Sequence, residues 1–185
     1  FIDARNYYTV VDRTLNEWSE WQLKNLNAIV WLYRGETEKY AALLEEYRAV
    51  LGNAAFSQRA EELSAEINTL RDEAKKAVAE AAKREKKKVQ ADYDQRLAVL
   101  DETLTTAKEA VWLYEKFGEG EYQDILGLCR AASLAKIAEK GWSLTPGAYV
   151  GVAPTEDDGV DFAQRMGEIH RELLELQRES ISNRR

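Results

Sequence analysis

Apolar residues recur at helical spacing along most of the 185-residue chain. The stretch "SEWQ" at 19–22 fits a capping box, with Ser19 as N-cap and Gln22 reaching back, and it precedes Leu23, Leu26, Val30 and Tyr33. This pattern predicts a first helix ending near Gly35. From Glu36 to Lys116 the only glycine is Gly52 and proline is absent, while Ala, Glu, Lys, Leu and Arg dominate. Such composition favours long helices. Tyr40, Leu44, Tyr47 and Leu51 share one stripe, and Gly52-Asn53 offers a turn after it. Phe56, Ala60, Leu63, Ile67, Leu70, Ala74, Ala77 and Ala81 then alternate steps of four and three, as a coiled-coil seam requires.

The seam meets "KREKKK" at 83–88 and resumes as Val89, Tyr93, Leu97, Leu100, Leu104, Ala107, Val111 and Tyr114. Steps of four from Ala81 through Glu85, Val89, Tyr93 and Leu97 resemble a stutter, which lets one helix continue with altered supercoil. Two arrangements satisfy this pattern: a single helix over 56–116 packed on the shorter one, or a hairpin with the lysine run at its tip. The run contains no Gly, Pro, Asn or Ser, so the continuous helix is favoured.

Beyond Lys116 the pattern fragments. Gly118 and Gly120 should stop the long helix, and Ser133 can cap a short one ending before Gly141. Both prolines and three of the ten glycines lie in "GWSLTPGAYVGVAP" at 141–154. Thr145-Pro146-Gly147-Ala148 has the residues of a type II turn, after which Leu144, Tyr149, Val150 and Val152 could lay an extended segment on an apolar surface. Pro146, Gly147, Tyr149, Val150 and Gly151 thus read as a rigid latch. A last amphipathic helix is predicted after Asp161, an N-cap paired with Gln164, with the stripe Phe162, Met166, Ile169, Leu173 and Leu176. At the other end, "FIDARN" has the character of a final strand of a sheet.

The expected fold is therefore mainly α: long coiled-coil helices, with short irregular or extended segments at the N-terminus and around 141–154. Four regions are expected: 1–34, a leading segment with the first helix; 35–117, the coiled-coil region; 118–160, a short helix and the latch; and 161–185, the amphipathic helix. A first residue of Phe1 rather than Met suggests a piece of a longer protein.

Composition narrows the function classes. With 33 acidic against 26 basic residues the net charge is -7, so the chain as a whole is no nucleic-acid coat. Between Arg71 and Gln90, however, eight basic residues face four acidic ones. A solvated helix face is the ordinary reading of such a cluster; contact of Lys83, Arg84, Lys86, Lys87 and Lys88 with a DNA backbone is the alternative. The single cysteine, Cys129, in the helix-forming stretch "ILGLCRAASLAKI", suits a reduced cytoplasmic setting, and no run of 18 apolar residues argues for a membrane. His170 is the only histidine, which excludes a histidine-based metal cluster. Gly118-x-Gly120 has no strand before it, no third glycine and acidic flanks, so it reads as a helix stop rather than a phosphate cradle. The five tryptophans read as core residues rather than a platform for bases.

Two flanks carry a resemblance. "DILGLCRAASLAKIAEKGWSLTPGAYVGV", then an acidic turn and "FAQRMGEIHRELLELQRES", resembles the C-terminal end of the DNA-modification subunit of type I restriction systems. "FIDARN" with "SEWQLKNLNAIVWLY" looks like that family's exit from its methyltransferase sheet, which would make 1–34 the tail of that domain. The resemblance implies a parent protein that transfers a methyl group from S-adenosylmethionine to N6 of adenine, holding the flipped base with an Asn-Pro-Pro-aromatic motif. Here Pro146 follows Thr145 and Pro154 follows Ala153, so the motif is missing, as is the glycine-rich cofactor loop. No catalytic, cofactor or metal residue therefore carries over to this chain. Ala148 stands where the family has a basic residue after the turn. The implied task is assembly: the coiled coil and last helix would dock on the specificity subunit, in a complex with a second methylase subunit, the restriction subunit and DNA. A free-standing coiled-coil scaffold is the alternative, and an independent enzyme lacks any clustered acid, base, nucleophile or metal set.

Overall fold

Ser19 opens the first helix as its sequence requires. Its hydroxyl accepts the Gln22 N–H at 3.2 Å while Gln22 Oε1 accepts the Ser19 N–H at 3.0 Å, and helix α1 runs Glu20–Tyr33. The structure is a computed structural model, and it describes residues 1–152. The last helix expected from Asp161, with Phe162, Met166, Ile169, Leu173 and Leu176, lies outside the described residues.

The described chain is mainly helical, with long helices and few strands. After α1 come α2 (Thr37–Leu51), α3 (Phe56–Glu80), α4 (Lys86–Phe117), α5 (Leu134–Glu139) and the single turn α6 (Gly147–Val150). Before α1, β1 (Thr9–Val10) and β2 (Asn16–Glu17) pair antiparallel, Thr9 opposite Glu17 and Val10 opposite Asn16. Asp12 shapes their connection: its Oδ1 accepts the N–H groups of Thr14 at 2.7 Å and Leu15 at 2.9 Å.

The second helix keeps its expected stripe, with Tyr40, Leu44, Tyr47 and Leu51 all buried and Leu43 beside them. The first does not. Gln22, Asn25, Ala28, Ile29 and Leu32 face inward, while Leu23 and Tyr33 are exposed, so the buried face is turned by about one residue from the apolar spacing. Two side-chain amides take core positions because other elements supply partners for them, as described below.

The favoured continuous helix is replaced by a hairpin. α3 ends at Glu80, Ala81 is extended (φ -65°, ψ 143°), and α4 begins at Lys86 after the Glu85 and Lys86 N–H groups bond the Ala82 carbonyl at 2.8 and 3.2 Å. No residue between 81 and 85 has positive φ, so the turn needs no Gly or Asn and leaves no such signature in the sequence. The gain is burial: Leu63, Ile67, Leu70 and Ala74 of α3 are covered, and Leu100 and Leu104 of α4 pack on the cluster that holds Leu63. Each large apolar side chain withdrawn from water contributes roughly 1.5–3 kcal/mol, which easily outweighs one broken helical turn.

α3, α2, α1 and the C-terminal half of α4 enclose one core, with Ala107, Ala110, Leu113 and Phe117 fully covered. α4 stops at Gly118 (φ 52°), as expected. Gly120 is there for a closer reason: at φ 117° a Cβ would sit 2.9 Å from Tyr40 Cδ1, and the Tyr40 hydroxyl donates to the Gly118 carbonyl at 2.9 Å. Ser133 caps α5, accepting the Lys136 N–H at 3.3 Å. Cys129 is buried but not helical; it pairs with Ile2 and Ile125 in isolated bridges. The tryptophans divide: Trp21, Trp31 and Trp112 pack at the core margin, whereas Trp18 and Trp142 are exposed.

Candidate functional site

The latch residues and the N-terminal segment meet. Phe1 and Asp3 pair with the strand-like stretch at 128–130: the Asp3 N–H donates to the Leu128 carbonyl at 2.7 Å, and the Arg130 N–H to the Phe1 carbonyl at 2.9 Å. The Phe1 ring stacks on Tyr149 with centroids 3.9 Å apart and planes 11° from parallel. The Tyr149 hydroxyl donates to the Ser143 carbonyl, and the Gly127 N–H donates to the Val150 carbonyl at 2.9 Å. Within the described residues, 1–3 and 127–150 are thus one structure.

The latch does not take the expected type II turn. Pro146 is right-handed helical (φ -55°, ψ -42°), and its carbonyl accepts the N–H groups of Tyr149 at 2.8 Å and Val150 at 3.2 Å. Proline suits the start of a helical turn, where its missing N–H has no partner to lose. The helical turn buries Tyr149 and Val150, whereas Leu144 and Val152, expected on the same apolar surface, are exposed. Gly147 has no positive φ; a Cβ there would lie 2.8 Å from Arg5 Nη2, the end of an exposed side chain that could move aside. That guanidinium forks onto Asp3, Nη2 to Oδ2 at 2.7 Å and Nε to Oδ1 at 2.9 Å, and the hydrogen bond holds the Asp3 carboxyl below its ordinary value. Gly151 closes the turn at φ 74°.

Around the latch several large apolar side chains are exposed among polar ones. Leu126, Leu134, Trp142, Leu144 and Val152 all stand exposed within 27 residues of chain. A cleft of about 350 Å³ lies alongside, lined by Phe1, Ile2, Ile29, Val30, Tyr33 and Tyr122, with Arg130 the one charged group. Burial raises the Cys129 thiol above its ordinary value, and the thiol donates to the Gln123 carbonyl at 3.6 Å, an inert arrangement.

The lysine cluster is far from all this, at the α3–α4 tip. Lys83, Arg84, Lys86, Lys87 and Lys88 are all exposed. Arg84 reaches Glu85 at 3.8 Å; among the described residues no carboxylate lies within ion-pair distance of the four lysines.

A polar lock that the apolar pattern did not reveal joins the N-terminal segment to three helices. Tyr7 donates to Glu109 Oε2, Gln22 Nε2 to Glu109 Oε1 at 3.1 Å, and Asn25 Nδ2 to the Glu109 carbonyl at 3.0 Å and to the Tyr7 hydroxyl oxygen at 2.9 Å. Tyr47 donates to Asn25 Oδ1 at 2.9 Å. The Tyr7 ring also stacks on Trp112, centroids 4.0 Å apart, and Trp21 stacks on Tyr47 at 4.4 Å. Burial raises the Tyr7 and Tyr47 hydroxyls well above the usual tyrosine value; for Tyr7 the bond to Glu109 adds to it. Each group is satisfied, which marks the cluster as structural. The detectable signal was the polar pair Gln22 and Asn25 at helical spacing with the apolar Ile29 and Leu32.

Among the described residues no strand leads into the Gly118-x-Gly120 turn, and a Cβ at Gly120 would meet the Tyr40 ring. Nor is any group of three metal-ligating side chains found among them. No described helix is long and apolar enough to cross a membrane.

The chain is similar to the methylase subunit of the type I restriction enzyme HindI of Haemophilus influenzae, 49% identical over 45 residues, which is 24% of this chain and 10% of that protein. It is also similar to the methylase subunit of the type I restriction enzyme MjaIX of Methanocaldococcus jannaschii, 42% identical over 72 residues, or 37% of this chain and 13% of that protein. A relationship to type I restriction-modification methylase subunits follows, while the matches cover only about a tenth of those relatives' own length. No family model matches the chain, and no solved structure does.

Proposed function

We propose that this chain is the C-terminal helical part of a type I methylase subunit, and that its task is to hold that subunit to the specificity subunit. The similarity to two such methylase subunits carries this reading. Its physical support is a helical body that locks its own N-terminal segment in place while leaving the large apolar side chains of Leu126, Leu134, Trp142, Leu144 and Val152 exposed. The parent protein, in this proposal, is a cytoplasmic S-adenosylmethionine-dependent DNA adenine N6-methyltransferase whose cofactor and target base are held by residues other than these. The restriction subunit and a second methylase subunit complete the assembly.

The sequence pattern of Phe162, Met166, Ile169, Leu173 and Leu176 predicts an amphipathic helix, and in this proposal the specificity subunit covers its stripe, because an isolated helix of such length gains too little from propensity alone. In the natural protein, co-expressed with the specificity subunit of its own system, Ile169→Asp with Leu173→Asp should abolish co-purification while circular dichroism stays unchanged. Undiminished co-purification would overturn the assembly role of this helix.

A further inference from the structure

Among the described residues, the four lysines of the basic tip of the α3–α4 hairpin make no ion pair. The tip's five cations occupy six consecutive positions with one acid, in a chain whose overall charge is -7. They are exposed, and the lysines have no carboxylate partner among the described residues, although acidic side chains abound elsewhere. Holding like charges together on a turn costs free energy through self-repulsion, which an external polyanion would reverse. α3 is 25 residues long, so the hairpin carries these charges roughly 35 Å beyond Phe56 at the core.

We propose that the α3–α4 hairpin is an arm that grips the phosphate backbone of duplex DNA through Lys83, Arg84, Lys86, Lys87 and Lys88, without reading sequence. The choice of duplex follows from what the tip lacks. No aromatic residue occurs between 71 and 90, so there is no platform on which unpaired bases could stack. The residues flanking the cations are Ala81, Ala82 and Val89, too small an apolar surface to anchor in a lipid interface. Lys83 and Arg84 lie in the turn and Lys86, Lys87 and Lys88 are consecutive at the start of α4, so the cations fan around the tip, an arrangement suited to phosphates rather than to the edge of one base. That the polyanion is DNA rests on the methylase reading; the unpaired charge at the tip does not.

The 185-residue chain is titrated with labelled duplexes of two unrelated sequences between 50 and 200 mM salt. Five phosphate contacts predict about a 500-fold loss of affinity across that range, and Lys86→Gln with Lys87→Gln and Lys88→Gln reduces the loss to about 12-fold. Both duplexes should behave alike, and arginine at the same three positions should restore the steep dependence. An unchanged salt slope in the glutamine variant, or no duplex binding at 50 mM salt, overturns the arm. Tighter binding to vesicles of anionic phospholipid than to duplex overturns the choice of DNA. Loss of the arm with assembly on the specificity subunit intact sinks this inference alone; lost assembly with the salt response intact sinks only the proposed function.

Discussion

The Tyr47 hydroxyl donates to Asn25 Oδ1 at 2.9 Å, with both residues fully buried and 22 positions apart on different helices. A single amide thereby joins α1 to α2 while its nitrogen holds α4 and the N-terminal segment. Replacing Asn25 by Leu leaves the Tyr47 donor unpaired in the core, and a loss of about 1–3 kcal/mol is expected by urea denaturation. Tyr47→Phe alone should cost about 1 kcal/mol, and the double variant no more than Asn25→Leu. Additive losses would show that the two groups do not act as a pair.

Alkali should attack the same region. Burial raises the hydroxyls of Tyr7, Tyr40 and Tyr47 well above their ordinary value of 10.0. In the unfolded chain they ionise near the ordinary value. The folded state therefore holds their protons more tightly, and the stability linked to them is complete below about pH 10 and falls as pH rises past it. Tyrosinate absorbance from these three residues should appear together with loss of helical circular dichroism. Their ionisation in a chain that keeps its full helicity would contradict the burial seen here.

The hairpin can be tested by distance. Arg71 Nη2 lies 3.5 Å from Asp101 Oδ1, and spin labels at these two positions should report a short separation. A continuous helix would hold residues 30 apart by about 45 Å, so the two arrangements give distinct spectra. This is where the sequence misled most. The stripes on α2 and α3, the Ser19 and Ser133 caps and the stop at Gly118 were all legible, because each depends on local spacing or local hydrogen bonding. The tip was not, because its extended Ala81 keeps negative φ and asks for no special residue. The inward face of α1 was misjudged for a different reason. Gln22 and Asn25 look like surface residues until Tyr7, Tyr47 and Glu109 arrive from distant segments to satisfy them. The proline and glycines of 146–151 were visible in the sequence, yet the helical turn they form is fixed by burial of Tyr149 against Phe1, a contact across 148 positions.

Trp142 combines two costs that local stability does not explain. Its backbone is left-handed at φ 62°, which a bulky side chain rarely adopts, and its indole is 66% exposed. The Trp142 N–H bonds the Ile137 carbonyl at 3.0 Å and so ends α5, a position that glycine fills without strain. Trp142→Gly should therefore change stability by less than about 1 kcal/mol, since relief of the left-handed strain offsets the added freedom of the unfolded chain. If the exposed apolar side chains around the latch meet the specificity subunit, the same substitution should weaken assembly at least tenfold, because exposed tryptophans that become buried are frequent anchors of interfaces. Thermal denaturation of the variant and its affinity for the specificity subunit separate the two effects. A large loss of stability with assembly preserved would mean that the indole serves the fold rather than a neighbour.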